Sequence, residues 1–301
     1  MKMKKAPVSK KVTTALITIL IVAVTLVMVI PFVWMLSASF KTEADVMKIP
    51  IEWIPKYFYP DNYKRVLSIG TTSSTNYHFG LAYFNSIKVA VISTVVAITS
   101  ATLAGYAFAK LKFKGSNVLF IVYLAQMMVP SQLTLIPRFI MFMQLGWMNT
   151  HLSLIVPKII AVSSTFMLRQ SFLSTPDELR EAARIDGAGP LTVLLKVYLP
   201  ISLPALATVG LFAIVNHWND YFSGLIYMSK ASMYPLQTYI QQLTVDLTQI
   251  TDADQLKQLS ALNNRSFNAA KIVVSTIPLL IIYPFLQKYF VTGMVIGAVK
   301  E

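Results

Sequence analysis

The sequence contains no cysteine, which excludes disulfides, thiol nucleophiles and iron–sulfur centres and leaves redox compartment unread. Its three histidines, His78, His151 and His217, are too scattered to form a metal site by spacing. No Gly-x-x-x-x-Gly-Lys-Ser/Thr stretch occurs, so the chain lacks the loop that cradles nucleotide phosphates. No Ser/His/Asp constellation suggests itself either, so no catalytic residue is assigned and an enzyme is not expected. Acidic residues are few, 13 against 26 lysines and arginines. In a soluble chain that excess would suggest nucleic acid as a partner, but here the basic residues sit beside apolar runs. Membrane orientation accounts for them better.

What the sequence does have is hydrocarbon. Hydrophobic residues make up 55% and charged residues 13%, with mean hydropathy +0.60, a balance that marks an integral membrane protein. Apolar runs at about 12–36, 84–109, 117–143, 150–172, 201–229 and 270–292 each approach or exceed the roughly 20 residues that cross a bilayer. The expected fold is all-α with six transmembrane helices: residues 1–11 as a cytoplasmic N-terminus, and 12–301 as a single membrane domain. The first run follows Lys2, Lys4, Lys5, Lys10 and Lys11. It is longer than the apolar part of a cleaved signal, about 7–15 residues, so a retained anchor is preferred despite the small residues Ser37-Ala38-Ser39. With the N-terminus inside, 14 of the 26 basic residues fall on the cytoplasmic side, including Lys110, Lys112 and Lys114 in the short loop after the second run. Both termini are then cytoplasmic in a multi-pass protein of the cell membrane.

One polar segment, 174–200, interrupts the apolar chain. Thr175 is expected to cap a helix that starts at Pro176, with Glu178 placed for a capping box. That helix carries Glu181, Ala182, Ala183, Arg184 and Ile185 and closes at Gly187, a residue able to take the left-handed conformation. Gly189-Pro190 opens a second short helix, expected to end at Pro200. Small Ala182, Ala183 and Ala188 would let a partner's backbone approach, while Glu181, Arg184 and Asp186 offer directional charge. A surface hairpin joining two spans without a partner has the same signature.

The order Glu181-Ala182-Ala183, two residues, Gly187-Ala188 after Asp186, then Leu199-Pro200, resembles the cytoplasmic EAA loop of permeases in binding-protein-dependent ABC importers. Trp218-Asn219-Asp220, Met128 to Gln132, and the ending Gln287 to Val291 with Gly297 to Lys300 make the chain most similar to the second permease of maltose-type carbohydrate importers. The resemblance implies a type I importer permease working with a second permease, two ATPase subunits and an extracellular solute-binding protein, its substrate an oligosaccharide. This chain would bind no cofactor; ATP and magnesium would belong to the ATPase. Residues Glu181, Ala182, Ala183, Arg184, Asp186 and Gly187 would couple to the ATPase, and the tail Gly297, Ala298, Val299 and Lys300 would reach into it.

Asp220 is the one acid inside an apolar run, and a charge in hydrocarbon is a functional candidate. With Trp218, Asn219, Gln126 and Gln132 it is the expected substrate path, offering amides and an indole to hydroxyls and sugar faces. Structural bonds to neighbouring helices would use the same residues. The segment 230–269 is read as external, a docking surface for a binding protein or a surface insertion, and Asp252 and Asp254 lack the rest of a calcium loop. An importer for a non-sugar solute is the alternative within the class. A self-contained ion-coupled carrier is the alternative outside it, disfavoured because Asp220 alone was counted as ionisable within the runs.

Overall fold

Apolar runs dictate helices, since in hydrocarbon every backbone polar group must be satisfied within the segment. A computed structural model describes residues 8–68, 79–245 and 265–298, and among these no strand occurs. The chain divides into two compact units, 1–68 with 244–275, and 69–243 with 276–301.

In the first unit α1 (Val8–Ser39) is apolar beyond Lys10 and Lys11, and none of its most hydrophobic window is buried. Beyond it lie α2 (Glu43–Val46), capped by the Thr42 hydroxyl that accepts from Asp45 N–H, and α3 (Asp61–Ser68). Asn62, buried at the start of α3, fastens this segment: its side-chain amide donates to the carbonyls of Ser39 and Lys41 at 3.0 and 2.9 Å. Phe40 sits between Phe58 and Tyr63, with ring centroids 4.6 and 4.9 Å away. Ser39, one of the small residues a signal peptidase would favour, is buried and shares a 2.7 Å hydrogen bond with the Tyr63 hydroxyl.

In the second unit α4 (Phe79–Lys110) is the central helix. The chain then forms α5 (Ser116–Ala125), α6 (Leu135–Gln144), α7 (Leu152–Ile155) and α8 (Val162–Ser174). Next come α9 (Glu178–Ile185), α10 (Pro190–Val193), α11 (Leu199–Ile201), α12 (Leu203–Trp218), α13 (Phe222–Tyr227) and α14 (Leu236–Val245). The last helix, α15 (Arg265–Ala298), belongs to the first unit as far as Ser275 and to the second beyond it, and holds Pro278 and Pro284. Helix α4 packs on α8 and α12. Gly105 eases the α4–α8 approach: a Cβ there would stand 3.2 Å from Thr165 O and Arg169 N, tighter than an ordinary contact, so a side chain would press the two backbones slightly apart.

Among the described residues four helices, Val12–Ser39, Phe79–Lys110, Leu152–Ser174 and Arg265–Phe285, are long and apolar enough to cross a membrane. The remaining runs are broken. The run at 117–143 stops being helical at Val129, which is extended (φ −84°, ψ 114°). Pro130 causes this, since its ring drives the preceding residue out of the helical region. The run at 201–229 ends as a helix at Trp218 and resumes as α13. Upstream, Pro190–Ile201 and Leu203–Trp218 meet at 83°.

Candidate functional site

The polar segment begins differently from its expected form. Thr175 is extended, and its hydroxyl donates back to Ser171 O at 3.3 Å in α8, so it does not cap the next helix. Helix α9 starts at Glu178, two residues later than expected, and Asp177 O accepts the N–H groups of Arg180 and Glu181 at 3.0 Å each. The cause lies outside the segment. Lys110, the last residue of α4, is buried, and its ammonium donates to Thr175 O and to Asp177 Oδ1, both at 2.9 Å. Arg180 Nη1 donates in turn to Lys110 O at 2.8 Å. The turn is thus tied to α4 through both the side chain and the carbonyl of one residue. Lys110, through its hydrogen bond and its charge, holds the Asp177 carboxyl below the usual carboxylate range.

At its other end α9 closes on Gly187, whose φ of +82° is the left-handed value. Gly187 N–H donates to Arg184 O at 3.0 Å and Ala188 N–H to Ala183 O at 2.9 Å, the paired bonds of a Schellman cap. Ala183 and Ala188 turn inward and pack against a buried cluster that includes Tyr106, Leu168, Phe172, Val193, Leu194 and Tyr198. Glu181, Ala182, Arg184, Asp186 and Gly187 face outward, together with Ile185, which is 87% exposed.

Gly189 and Pro190 open α10 as expected, with Pro190 in its first turn. Pro200 does not end the helical path. Leu194–Tyr198 form a π-helical turn, and Pro200 falls in the first turn of α11, where its missing N–H leaves little unmet. The path ends instead at Ser202, buried and 3.2 Å from the Ser171 hydroxyl.

A second feature lies past the end of α12. A cavity of about 1060 Å³ is lined by Ser131, Gln132, Arg138, Lys158, Phe212, Asn216, Asn219, Asp220, Phe222, Ser223 and Tyr227 among others. Asp220 forms a 2.8 Å ion pair with Lys158, and it accepts Ser223 N–H at 3.1 Å and Ser223 Oγ–H at 2.8 Å, which anchors the start of α13. Of the expected path residues, Gln132, Asn219 and Asp220 come together here. Trp218 does not: it is buried, edge-on to Tyr83 with centroids 5.7 Å apart. Gln126 lines a separate groove of about 590 Å³, shared with Arg138 and Trp147.

The family model for binding-protein-dependent transport system inner membrane components matches residues 97–296, two thirds of the chain, and covers both features. The chain belongs to this family. The permease is similar to Protein LplC of Bacillus subtilis, 34% identical over 274 residues, which are 90% of this chain and 89% of LplC. It is also similar to the polygalacturonan/rhamnogalacturonan transport system permease protein YtcP of the same organism, 30% identical over 91% of this chain and 93% of YtcP. Among solved structures it matches a bacterial ABC transporter involved in the import of the acidic polysaccharide alginate. There the TM-score is 0.79 and the identity 26%, over 96% of this chain and all of that one. It is therefore a multi-pass inner-membrane permease.

Sequence reasoning placed the outward residues of α9 but missed the lysine that holds them. Lys110 was counted only as a loop charge, although its position at the end of a long apolar run was the available signal. The count of ionisable groups inside the runs was also wrong. Lys88, Arg138, Lys158 and Lys271 lie within the ranges assigned to spans, and Lys158 neutralises Asp220. The carrier alternative is no longer opposed by a shortage of charge; family membership opposes it. Of the expected tail, Gly297 and Ala298 end α15, while Val299 and Lys300 lie outside the described residues, as do Asp252 and Asp254.

Proposed function

We propose that the permease is one of two membrane subunits of an ABC importer that carries an oligosaccharide from an extracellular solute-binding protein to the cytoplasm. ATP and magnesium belong to a separate pair of ATPase subunits, and this chain holds no cofactor of its own. The reading gives the chain six spans, with both termini and the 174–200 segment cytoplasmic.

The observation that carries the reading is the construction of α9. Its outer surface (Glu181, Ala182, Arg184, Ile185, Asp186) is free, while its inner surface and both ends are fixed to the core of the second unit through Ala183, Ala188 and Lys110. An element seated in a moving ATPase and fixed in this way must move the helices attached to it. Coupling requires no more, provided the ATPase contacts differ between its states. The sugar assignment is supported by the similarity to YtcP, a polygalacturonan/rhamnogalacturonan transport permease, and to the alginate importer, and by a cavity rich in amides, hydroxyls and aromatic rings.

The test is Glu181→Arg in the complete transporter. The variant is expected to insert normally but to lose uptake and to lose its ATPase on gentle solubilisation. Unchanged uptake by a well-expressed variant would sink the coupling role of α9.

A further inference from the structure

The cavity beside α12 carries three charged groups, and two cancel. Lys158 and Asp220 form an ion pair at 2.8 Å, with Asp220 further satisfied by Ser223. Arg138, on α6, has no such partner: among the described residues its guanidinium meets no carboxylate, and its one hydrogen bond is to the Thr134 hydroxyl at 3.3 Å. A guanidinium has five N–H donors, and this one is half-buried at the wall of a cavity. The cavity therefore presents one uncompensated positive charge amid the neutral hydrogen-bonding groups of Gln132, Asn216 and Asn219.

We propose that Arg138 is the anchoring residue for a carboxylate of the substrate, and that the permease carries an acidic oligosaccharide, one containing uronic acid residues. The proposal rests on the oligosaccharide reading above and narrows it. The planar fork of arginine matches a carboxylate with two parallel hydrogen bonds, whereas a neutral sugar leaves the charge desolvated and unpaired. The remaining lining suits hydroxyls and the apolar faces of sugar rings. At about 1060 Å³ the cavity lies just above the range for small-molecule sites, roughly 300–1,000 Å³, consistent with an oligomer. Asp220 has a second consequence: by neutralising Lys158 it sets the charge of the cavity at one, so that a single carboxylate is balanced while it passes.

The experiment uses the whole transporter, this permease with its second permease and ATPase, in nanodiscs. Ligand-observed NMR measures binding of trigalacturonate and triglucuronate, their methyl esters, the neutral parent trisaccharides, and a trisaccharide phosphate. Wild type is expected to prefer an acid over its own methyl ester by about ten- to hundred-fold, the range for hydrogen bonds to a charged group. Arg138→Gln should erase that preference, bringing acid binding down to the level of the ester, and Arg138→Lys should restore part of it. Asp220→Asn, which frees Lys158, should strengthen the preference; a merely structural role for these residues would not give that sign.

Equal binding of acid and ester, or a preference that survives Arg138→Gln, overturns the proposal. So does selective binding of the phosphate. If no saccharide of any charge binds to a transporter that hydrolyses ATP, the oligosaccharide reading itself falls, and this inference with it. Unfolding temperatures of the variants identify any that fail to fold, and the lysine variant keeps the test decisive if the glutamine variant does.

Discussion

The ammonium of Lys110 and the carboxylate of Asp177 meet at 2.9 Å across 67 residues of sequence, and this pair joins the end of α4 to the start of α9. The two ends of the pair differ. The lysine side chain is 5% exposed and the aspartate 58%, so the cation is held in the protein while the anion sits at the surface. Exposed ion pairs contribute little to stability, whereas a buried ammonium left without acceptors is expensive.

Replacing Lys110 by methionine is therefore expected to spare the helical core, since the methionine stem fills the same space. It should release the 175–180 turn. Transport per ATP hydrolysed should fall, because the turn before α9 loses the ammonium that holds Thr175 O and Asp177 Oδ1 to the end of α4. Uptake and ATPase activity measured together in proteoliposomes check this. Proportionate loss of both would show an assembly defect instead.

The pH dependence of this contact has a definite sign. Lys110 depresses the Asp177 value in the folded protein, so the contact is fully present above the ordinary aspartate value of about 3.9 and is lost only as pH falls through the lower folded value. From neutral pH down to about pH 5 the 175–180 turn should show no change attributable to this group. A carboxyl NMR titration of Asp177 checks it, with the midpoint expected to rise toward the ordinary value in Lys110→Met. A midpoint unmoved by that substitution would mean that Lys110 does not set the value.

Gly187 at φ +82° closes α9, and nothing stands within 4 Å of where its Cβ would be. Space is available, so the objection to a side chain is conformational. Gly187→Val should destabilise the cap by about 1–2 kcal/mol, and Gly187→Asn by less, because asparagine tolerates the left-handed region. Hydrogen exchange at the amides of Gly187 and Ala188 reads the difference. Equal protection in the two variants would contradict the cap.

The parts of this molecule that were legible in the sequence are those with local causes. Gly187 signals a left-handed residue by itself, and Gly189-Pro190 signals a helix start by itself. The parts that were not legible depend on partners far along the chain. Thr175 reads as a cap by local pattern, but Lys110 holds its carbonyl and Asp177 to the end of α4, which no local pattern reveals. Pro200 reads as a helix stop until the π-helical turn before it places it in a first turn. Val129-Pro130 carried a local signal for a break, outweighed in the reading by the apolar length around it. Arg138 and Lys158 were overlooked because only acids were sought within the runs, although a cation in an apolar segment is as informative as an anion.

The 83° meeting of Pro190–Ile201 with Leu203–Trp218 gives the permease a bell-crank. The corner, Ser202, is buried and hydrogen-bonded to Ser171, so the two arms are held to α8 where they meet. A thrust along the first arm has almost no component along the second; it arrives there as a sideways swing. The far end of that second arm carries Asn216, Asn219 and Asp220. If α9 couples to an ATPase as proposed, a small axial displacement at α9 and α10 would move that wall of the cavity sideways, without requiring α12 to slide through the bilayer.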